Sequence, residues 1–129
     1  MRNVFKKVIL GCCMVFPFFC CARKPQFVSY APAEFEAFLK NKADVQLVDV
    51  RRPDEFEAGH LDKAILINVL ADDFLTKAKS LLDKSKPVAV YCRSGKRSKD
   101  AAEKLTKEGY TVYDLDSGYL GWIEYLKTK

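Results

Sequence analysis

Short apolar runs alternate with amphipathic segments along most of the chain. Runs of β-branched and apolar residues bounded by turn residues predict five strands, over Phe27–Ser29, Val45–Val50, Ile65–Ile67, Val88–Tyr91 and Thr111–Leu115. Apolar residues at helical spacing predict four helices between or after them, over Pro32–Asn41, Asp72–Asp83, Ser98–Glu108 and Tyr119–Lys127. The acidic stretch Asp54–Ala58, which ends at Gly59, is predicted to be a turn.

This alternation of strand and helix predicts the fold class. Strands separated by helix-length segments are typical of an α/β domain, with a mostly parallel central sheet of about five strands and helices on both faces. Val88–Tyr91 is a continuous apolar run, as expected of a strand covered on both faces. Ligands of such sheets bind beyond the carboxyl ends of the strands, and Cys92 follows one of those ends.

Composition indicates one ordinary globular domain. The 129 residues are 49% hydrophobic and 30% charged, with 6 Gly and 5 Pro, which excludes a disordered, collagen-like or disulfide-dense chain. A net charge of +5 would suit nucleic acid, but three of the cations lie within residues 1–22. Without that segment, 19 Lys and Arg face 17 Asp and Glu, so no nucleic-acid partner is predicted.

The first 22 residues have the pattern of an export signal. Three cations precede an almost uncharged run of about 15 residues, Val8–Ala22, which contains Pro17. A membrane-spanning helix needs roughly 20 residues, so the run fits a secretory signal better. We predict a signal peptide over residues 1–22 and one exported domain over residues 23–129, periplasmic or a membrane-anchored lipoprotein in a bacterium. A signal anchor and an overcalled start codon are the alternatives.

Cysteine placement bears on both the signal and the domain. Four of the five cysteines lie in the predicted signal, and only Cys92 lies in the domain. A lipoprotein-type signal would acylate Cys12, Cys20 or Cys21, whereas a plain signal would be cut after Ala22. Membrane contact is predicted only through such a lipid anchor. After cleavage Cys92 has no disulfide partner in the chain, which leaves it either buried and inert or kept for its reactivity.

The segment Cys92–Ser98 has the features of a loop that binds anions and activates a thiol. It follows a predicted buried strand and opens a helix, where backbone N–H groups favour negative charge. Gly95 allows backbone angles that other residues avoid. Four cations lie within eight residues, namely Arg93, Lys96, Arg97 and Lys99. These features favour a thiolate; the alternative is a small core cysteine surrounded by solvated cations.

Four motifs, in order along the chain, resemble those of single-domain rhodaneses. Cys92–Ser98 resembles the active loop of that family, and Asp49-Val50-Arg51 resembles its Asp-x-Arg at a strand end. Its E-F-x-x-G-H-I…A…N/P and G-G-x-x-x-W signatures are similar to Glu55–Leu61 with Ala64 and Asn68, and to Asp116–Trp122. The resemblance runs from about Phe27 to Lys127. Departures from the pattern lie outside the loop, at Asp62-Lys63 and Ser117.

The resemblance implies a sulfurtransferase with a rhodanese-like domain. Cys92 would attack the outer sulfur of a small anionic donor such as thiosulfate, sulfite would leave, and a persulfide would remain. A thiol or protein acceptor would then collect the sulfur. Asp49 and Arg51 would support the loop that binds substrate and persulfide, which consists of Arg93, Ser94, Gly95, Lys96, Arg97 and Ser98. No metal and no organic cofactor are predicted.

Several other residues have two interpretations. Arg51 would either help to hold substrate and loop or form a structural ion pair, with Asp49 as a hydrogen-bonding brace. His60, the only histidine, is predicted to pack and hydrogen-bond instead of acting as a general base. Core and rim positions are predicted for the aromatic residues Tyr119, Trp122 and Tyr125.

Two other functions compete with sulfur transfer. A Cys-dependent phosphatase or arsenate reductase is disfavoured, because such phosphatases place five residues between cysteine and arginine and only four separate Cys92 from Arg97. Disulfide-based reduction would also need a second cysteine in the domain. A persulfide carrier or a rhodanese-like binding module is the non-enzymatic alternative. The presence of Cys92 argues against an inert module but not against a carrier.

Overall fold

The computed structural model describes residues 26–129, so the predicted signal peptide lies outside the described residues. The strands are β1 (Val28–Tyr30), β2 (Gln46–Asp49), β3 (Ile65–Leu66), β4 (Val88–Tyr91) and β5 (Val112–Leu115). The helices are α1 (Pro32–Asn41), α2 (Pro53–Ala58), α3 (Phe74–Leu81), α4 (Lys96–Lys107) and α5 (Gly118–Lys127). Within residues 26–129, no helix has both the length and the apolar character needed to cross a membrane.

The five strands form one sheet in the order β1-β5-β4-β2-β3. Every neighbouring pair is parallel, with Val48 opposite Val90 and Ala89 opposite Tyr113. The parallel sheet of about five strands that the sequence predicts is confirmed. Because all strands point the same way, their carboxyl ends share one edge of the sheet, and Cys92 extends the central strand at that edge.

The core has two layers because alternate residues of a strand face opposite sides of the sheet. On one side Val48, Val90 and Val112 pack with residues of α3 and α4, including Phe74 and Leu105. On the other side the strands meet α1 and α5 in a cluster that contains Phe35, Phe38, Leu47, Ala89, Tyr91 and Leu115. Helices on both faces, as predicted, enclose the sheet.

One local prediction about secondary structure is wrong, and one helix starts two residues earlier than predicted. Asp54–Ala58, predicted as a turn, belongs to helix α2, which starts at Pro53, a residue preorganised for the first helical position. The Glu55 carboxylate accepts a hydrogen bond from the backbone N–H of Arg52 at 3.4 Å, which supports this short helix. Helix α4 begins at Lys96 instead of Ser98, because Gly95 takes a left-handed conformation and ends the loop just before it.

Candidate active site

The sulfur atom of Cys92 lies beneath a tight loop at the end of β4. The residue is 1% exposed, and the backbone N–H of Gly95 donates to Sγ at 3.1 Å. The hydroxyl oxygen of Ser98 lies 3.5 Å from Sγ and 3.2 Å from the Gly95 carbonyl oxygen, to which it donates. The backbone N–H of Gly95, which is directed at the sulfur atom, stabilises the negative form of that sulfur.

Gly95 is required by the backbone of this loop. Its φ of 103° lies in the left-handed region, which glycine adopts without steric cost. A Cβ added at this position would lie 2.0 Å from the carbonyl oxygen of Asp116, far inside van der Waals contact. A side chain here would therefore push the loop away from the end of β5 and break the contact between the N–H of Gly95 and Sγ.

The amino-terminal end of α5 holds the loop from the other side. The backbone N–H groups of Tyr119 and Leu120 donate to the carbonyl oxygens of Cys92 and Arg93 at 2.8 Å and 3.0 Å. Gly118, with φ of 64°, allows this approach, since a Cβ there would lie 2.5 Å from the Arg93 carbonyl oxygen. The carbonyl groups of Cys92 and Arg93 therefore point toward α5. Because a trans peptide group is planar, the N–H on the other side of each of these two peptide bonds points away from α5.

The four cations of the loop are not equivalent. The Arg97 guanidinium makes two hydrogen bonds to the Glu55 carboxylate, at 2.7 Å and 2.9 Å, and lowers the pKa of Glu55 to about 2. Lys99 is bound to carboxylates at the end of β5. Arg93 and Lys96 are exposed and form no salt bridge with any other residue of 26–129. Their charges remain available to an anionic ligand.

Asp49 and Arg51 form a buried brace at the end of β2. The Arg51 guanidinium donates to both carboxylate oxygens of Asp49, at 2.9 Å and 2.7 Å, and to the Gly59 carbonyl oxygen at 2.6 Å. Its central carbon lies 4.4 Å from the ring centre of Tyr119 and 5.6 Å from that of Tyr91. Of the two roles considered for Arg51, these contacts favour the structural ion pair.

The aromatic and histidine positions show packing contacts. The Nδ1 atom of His60 lies 2.8 Å from the Phe56 carbonyl oxygen. The His60 and Phe56 rings are stacked, with 3.7 Å between their centres. The ring of Trp122 packs edge-on against Phe35, with 6.2 Å between the ring centres, and its centre lies 5.8 Å from that of Tyr125. Within the described part of the chain, no group of three or more His, Cys, Asp or Glu residues is arranged to hold a metal ion.

Of the predicted site residues, the structure brings Cys92, Gly95 and Ser98 into direct contact. Arg93, Ser94 and Lys96 lie exposed on the same loop, and Arg97 lies at its helical end. Asp49 and Arg51 lie at the end of the neighbouring strand. Sequence reasoning missed two groups, Glu55 as the partner of Arg97 and the carboxylates that bind Lys99. Glu55 belongs to a recognised motif, but the motif does not indicate a partner 42 residues away.

We expect Glu55→Gln to remove an acid-sensitive part of the folding stability. A carboxylate whose folded-state pKa is lowered from 4.5 to about 2 stabilises the fold above about pH 4.5, and this contribution is lost as the pH falls toward 2. The free energy of unfolding from urea titrations should therefore fall less steeply between about pH 5 and pH 3 in the variant than in the wild type.

Glu103→Gln is the matched control for this measurement. Glu103 is an exposed carboxylate of α4 that forms no salt bridge with any described residue, so its variant should follow the wild-type slope. Equal slopes for Glu55→Gln and the wild type would show that the pair with Arg97 does not contribute to stability.

Comparison with known proteins places the chain among related sequences and folds. The family described as "Rhodanese-like domain" matches residues 31–125. The uncharacterized protein YqhL of Bacillus subtilis is 38% identical over 95 residues, which cover 73% of each chain. Thiosulfate sulfurtransferase 18 of Arabidopsis thaliana is 35% identical over 92 residues, which cover 62% of this chain and 68% of the relative.

A solved structure shows the same fold. The crystal structure of a rhodanese-related protein from Thermoplasma volcanium matches with a TM-score of 0.66 and 29% identity, covering 77% of this chain and 93% of that chain. Together with the family match over residues 31–125, this shows that the chain belongs to the rhodanese-like family.

Proposed function

We propose that this protein is a sulfurtransferase, which moves a sulfane sulfur from a small anionic donor such as thiosulfate to a thiol or protein acceptor through a persulfide on Cys92. The observation that carries the proposal is the loop around the sulfur, where the N–H of Gly95 lies 3.1 Å from Sγ. Relatives named thiosulfate sulfurtransferase, at 35% and 36% identity, support this class of donor.

In the first half-reaction, the thiolate of Cys92 attacks the outer sulfur of thiosulfate. The sulfur–sulfur bond of the donor breaks, its electron pair leaves with sulfite, and Cys92 retains one additional sulfur. The N–H of Gly95 is already directed at the sulfur and stabilises its negative charge without having to reorganise, and the hydroxyl of Ser98 lies close enough to turn toward it. The exposed cations Arg93 and Lys96 attract the donor dianion toward the loop.

In the second half-reaction, an acceptor thiolate attacks the terminal sulfur of the persulfide. The bond between that sulfur and Sγ breaks, and the electron pair returns to Cys92 as a thiolate. Because the enzyme is modified between the two steps, ping-pong kinetics are expected. All the groups that this cycle needs are supplied by the loop and the two substrates.

The pairing of Arg97 disfavours phosphatase chemistry. A phosphatase arginine must direct its N–H groups at the phosphate, whereas two N–H groups of Arg97 are bound to Glu55. The loop also has four residues between Cys92 and Arg97, one fewer than such phosphatases have. The smaller loop suits one added sulfur atom better than a tetrahedral phosphate.

We also propose that residues 1–22 direct export, which puts the domain in the periplasm or, after acylation, on a membrane. The support is the charge and apolar pattern of that segment. A single domain cysteine that remains reactive fits a protein which carries sulfur and does not form a structural disulfide.

The intact mass of the mature protein, measured after incubation with thiosulfate, tests the proposed function. We expect a gain of one sulfur atom, located on the Cys92 peptide and removed by dithiothreitol. A protein that gains no sulfur contradicts the proposal. Loading without turnover by cyanide or a thiol would support a carrier in place of an enzyme, and faster hydrolysis of aryl phosphates would support a phosphatase. The same mass shows whether residues 1–22 have been removed and a lipid added.

A further inference from the structure

Lys99, in the first turn of α4, connects the active loop to the end of β5. Its ammonium group donates to Asp116 Oδ1 at 2.9 Å, to Asp114 Oδ2 at 3.2 Å and to the Gly95 carbonyl oxygen at 3.2 Å. Gly95 is the residue whose N–H contacts Cys92 Sγ. The lysine therefore restrains, through the carbonyl of Gly95, the residue that contacts the sulfur.

Asp114 holds Lys99 from inside the protein. Its side chain is fully buried on the face of β5 that packs against α4, since Val112, two residues earlier, belongs to that core. Its Oδ2 atom also accepts a hydrogen bond from Ser29 at 2.8 Å, whereas Oδ1 has no partner among the described residues. A buried, incompletely hydrogen-bonded carboxylate is costly unless a cation lies beside it, and Lys99 is that cation.

Lys99 retains its positive charge in this position. Partial burial acts to lower the pKa of its ammonium group, but the carboxylates of Asp116 and Asp114 outweigh burial and raise that pKa above its ordinary value. The group that reaches the Gly95 carbonyl oxygen is therefore a charged donor, and hydrogen bonds from charged donors are the stronger ones.

The hydroxyl of Ser98 lies between two acceptors but has a single proton to donate. In the structure it donates to the Gly95 carbonyl oxygen, and the Cys92 thiol can donate to Ser98 Oγ. Once Cys92 has lost its proton to solvent, Sγ becomes an acceptor toward which the hydroxyl can turn. The Gly95 carbonyl oxygen then needs another donor, and Lys99 already supplies one.

We propose that Lys99, fixed by Asp114 and Asp116, is a positioning residue for the anionic sulfur of Cys92. It keeps the N–H of Gly95 aimed at Sγ and satisfies the Gly95 carbonyl oxygen when Ser98 turns its hydroxyl to the sulfur. The inference rests on the proposed function only in taking the thiolate as the reacting form of Cys92. It does not depend on which sulfur donor is used.

Other charged or titratable groups also surround the loop and contribute to the charge near the sulfur. They come from the loop and α4, from α2, from the end of β2, and from the β5–α5 connection. They are Arg93, Lys96, Arg97, Glu55, Asp49, Arg51, Asp114, Asp116 and Tyr119. A test of Lys99 must therefore leave these groups in place or change them in a matched way.

The test is the rate of alkylation of Cys92 by iodoacetamide as a function of pH, with no sulfur donor present. It uses the purified full chain, and mass spectrometry of the Cys92 peptide separates this thiol from the other four cysteines. In Lys99→Met we expect roughly tenfold slower alkylation at neutral pH, because less thiolate is present. The profile should move to higher pH and reach the wild-type rate at its plateau. A raised plateau would overturn the proposal, because it would show that the substitution loosens the loop and exposes the sulfur.

Three further variants keep the test independent of folding stability. Lys99→Met/Asp114→Asn removes the ion pair without leaving a buried unpaired carboxylate, and it should show the same upward movement. Lys99→Arg retains a cation and should stay near the wild-type profile. Lys104→Met removes the same charge from α4 at an exposed pair with Asp100, and it should leave the profile unchanged.

Unchanged profiles in both Lys99→Met variants would overturn the proposal, as would an equal movement in Lys104→Met. The proposed function fails separately, if the variant profiles move as expected but wild-type Cys92 accepts no sulfur from thiosulfate. The two results come from different reagents, so one outcome does not decide the other.

Discussion

Replacement of Cys92 by serine should abolish sulfur transfer while the protein stays folded. A serine hydroxyl remains protonated at neutral pH and is a far poorer nucleophile than a thiolate. Loss of a nucleophile that acts as part of a unit reduces turnover by several orders of magnitude. We expect thiosulfate turnover to fall more than about 10³-fold, measured as sulfite release with cyanide as acceptor, and no sulfur to appear on the variant in the mass measurement.

The fold of Cys92→Ser should survive because a serine oxygen finds partners at this position. The N–H of Gly95 can donate to the serine oxygen, and the serine hydroxyl can donate to Ser98 Oγ as the Cys92 thiol does, so no buried polar group is left unpaired. The free energy of unfolding should change by only about 1 kcal/mol. Ser80→Ala, at an exposed position of α3, controls for background activity. Turnover in Cys92→Ser at the wild-type rate would place the chemistry at another residue.

Among the single substitutions considered for folding stability, Asp49→Ala should cause the largest loss. Arg51 is 3% exposed, and without the carboxylate of Asp49 its charge keeps only the Gly59 carbonyl oxygen and two aromatic rings as partners. Removal of one member of a buried ion pair typically costs about 3–5 kcal/mol. Urea denaturation at neutral pH should show a loss of this size in the free energy of unfolding.

Two comparisons show whether the cost comes from an unpaired buried charge. The double variant Asp49→Ala/Arg51→Met removes both charges, so it should lose less stability than Asp49→Ala alone. Asp54→Ala breaks an exposed ion pair with Arg52, which should cost at most about 1 kcal/mol. If Asp49→Ala costs no more than Asp54→Ala, the brace between β2, α2 and α5 is not a stabilising element.

The order and type of most elements followed from the sequence because each has a strong local pattern. The strand Val88–Tyr91 and the helix Pro32–Asn41 were predicted with the bounds that the structure shows. Helix α2 was missed because six residues are too few to display helical periodicity. Its start depends on Pro53 and on the reach of Glu55 back to the Arg52 N–H, features that a turn-rich segment also contains.

Only the parts of the site that lie close together along the chain could be predicted from the sequence. Cys92, Gly95 and Ser98 meet because they lie within seven consecutive residues that form a tight loop and the first turn of α4. The strand, the glycine and the helix start were all visible in the sequence. The partners of Arg97 and Lys99 were not, since they are separated from these residues by 42 and 15 positions. Of the four cations that the sequence places near Cys92, two are therefore paired within the protein and two remain exposed.

The position of β5 in the sheet affects how the protein is made. This strand lies between β1 and β4, although a ribosome synthesises it after all the other described strands. Until it emerges, β1 has no neighbour and the apolar β4 keeps an open edge, which is the kind of edge that joins other chains. Pairing of residues as distant as Val28 and Tyr113 also slows folding. Products of interrupted synthesis that end before Val112 are therefore expected to aggregate, so the yield of soluble protein should depend on uninterrupted translation.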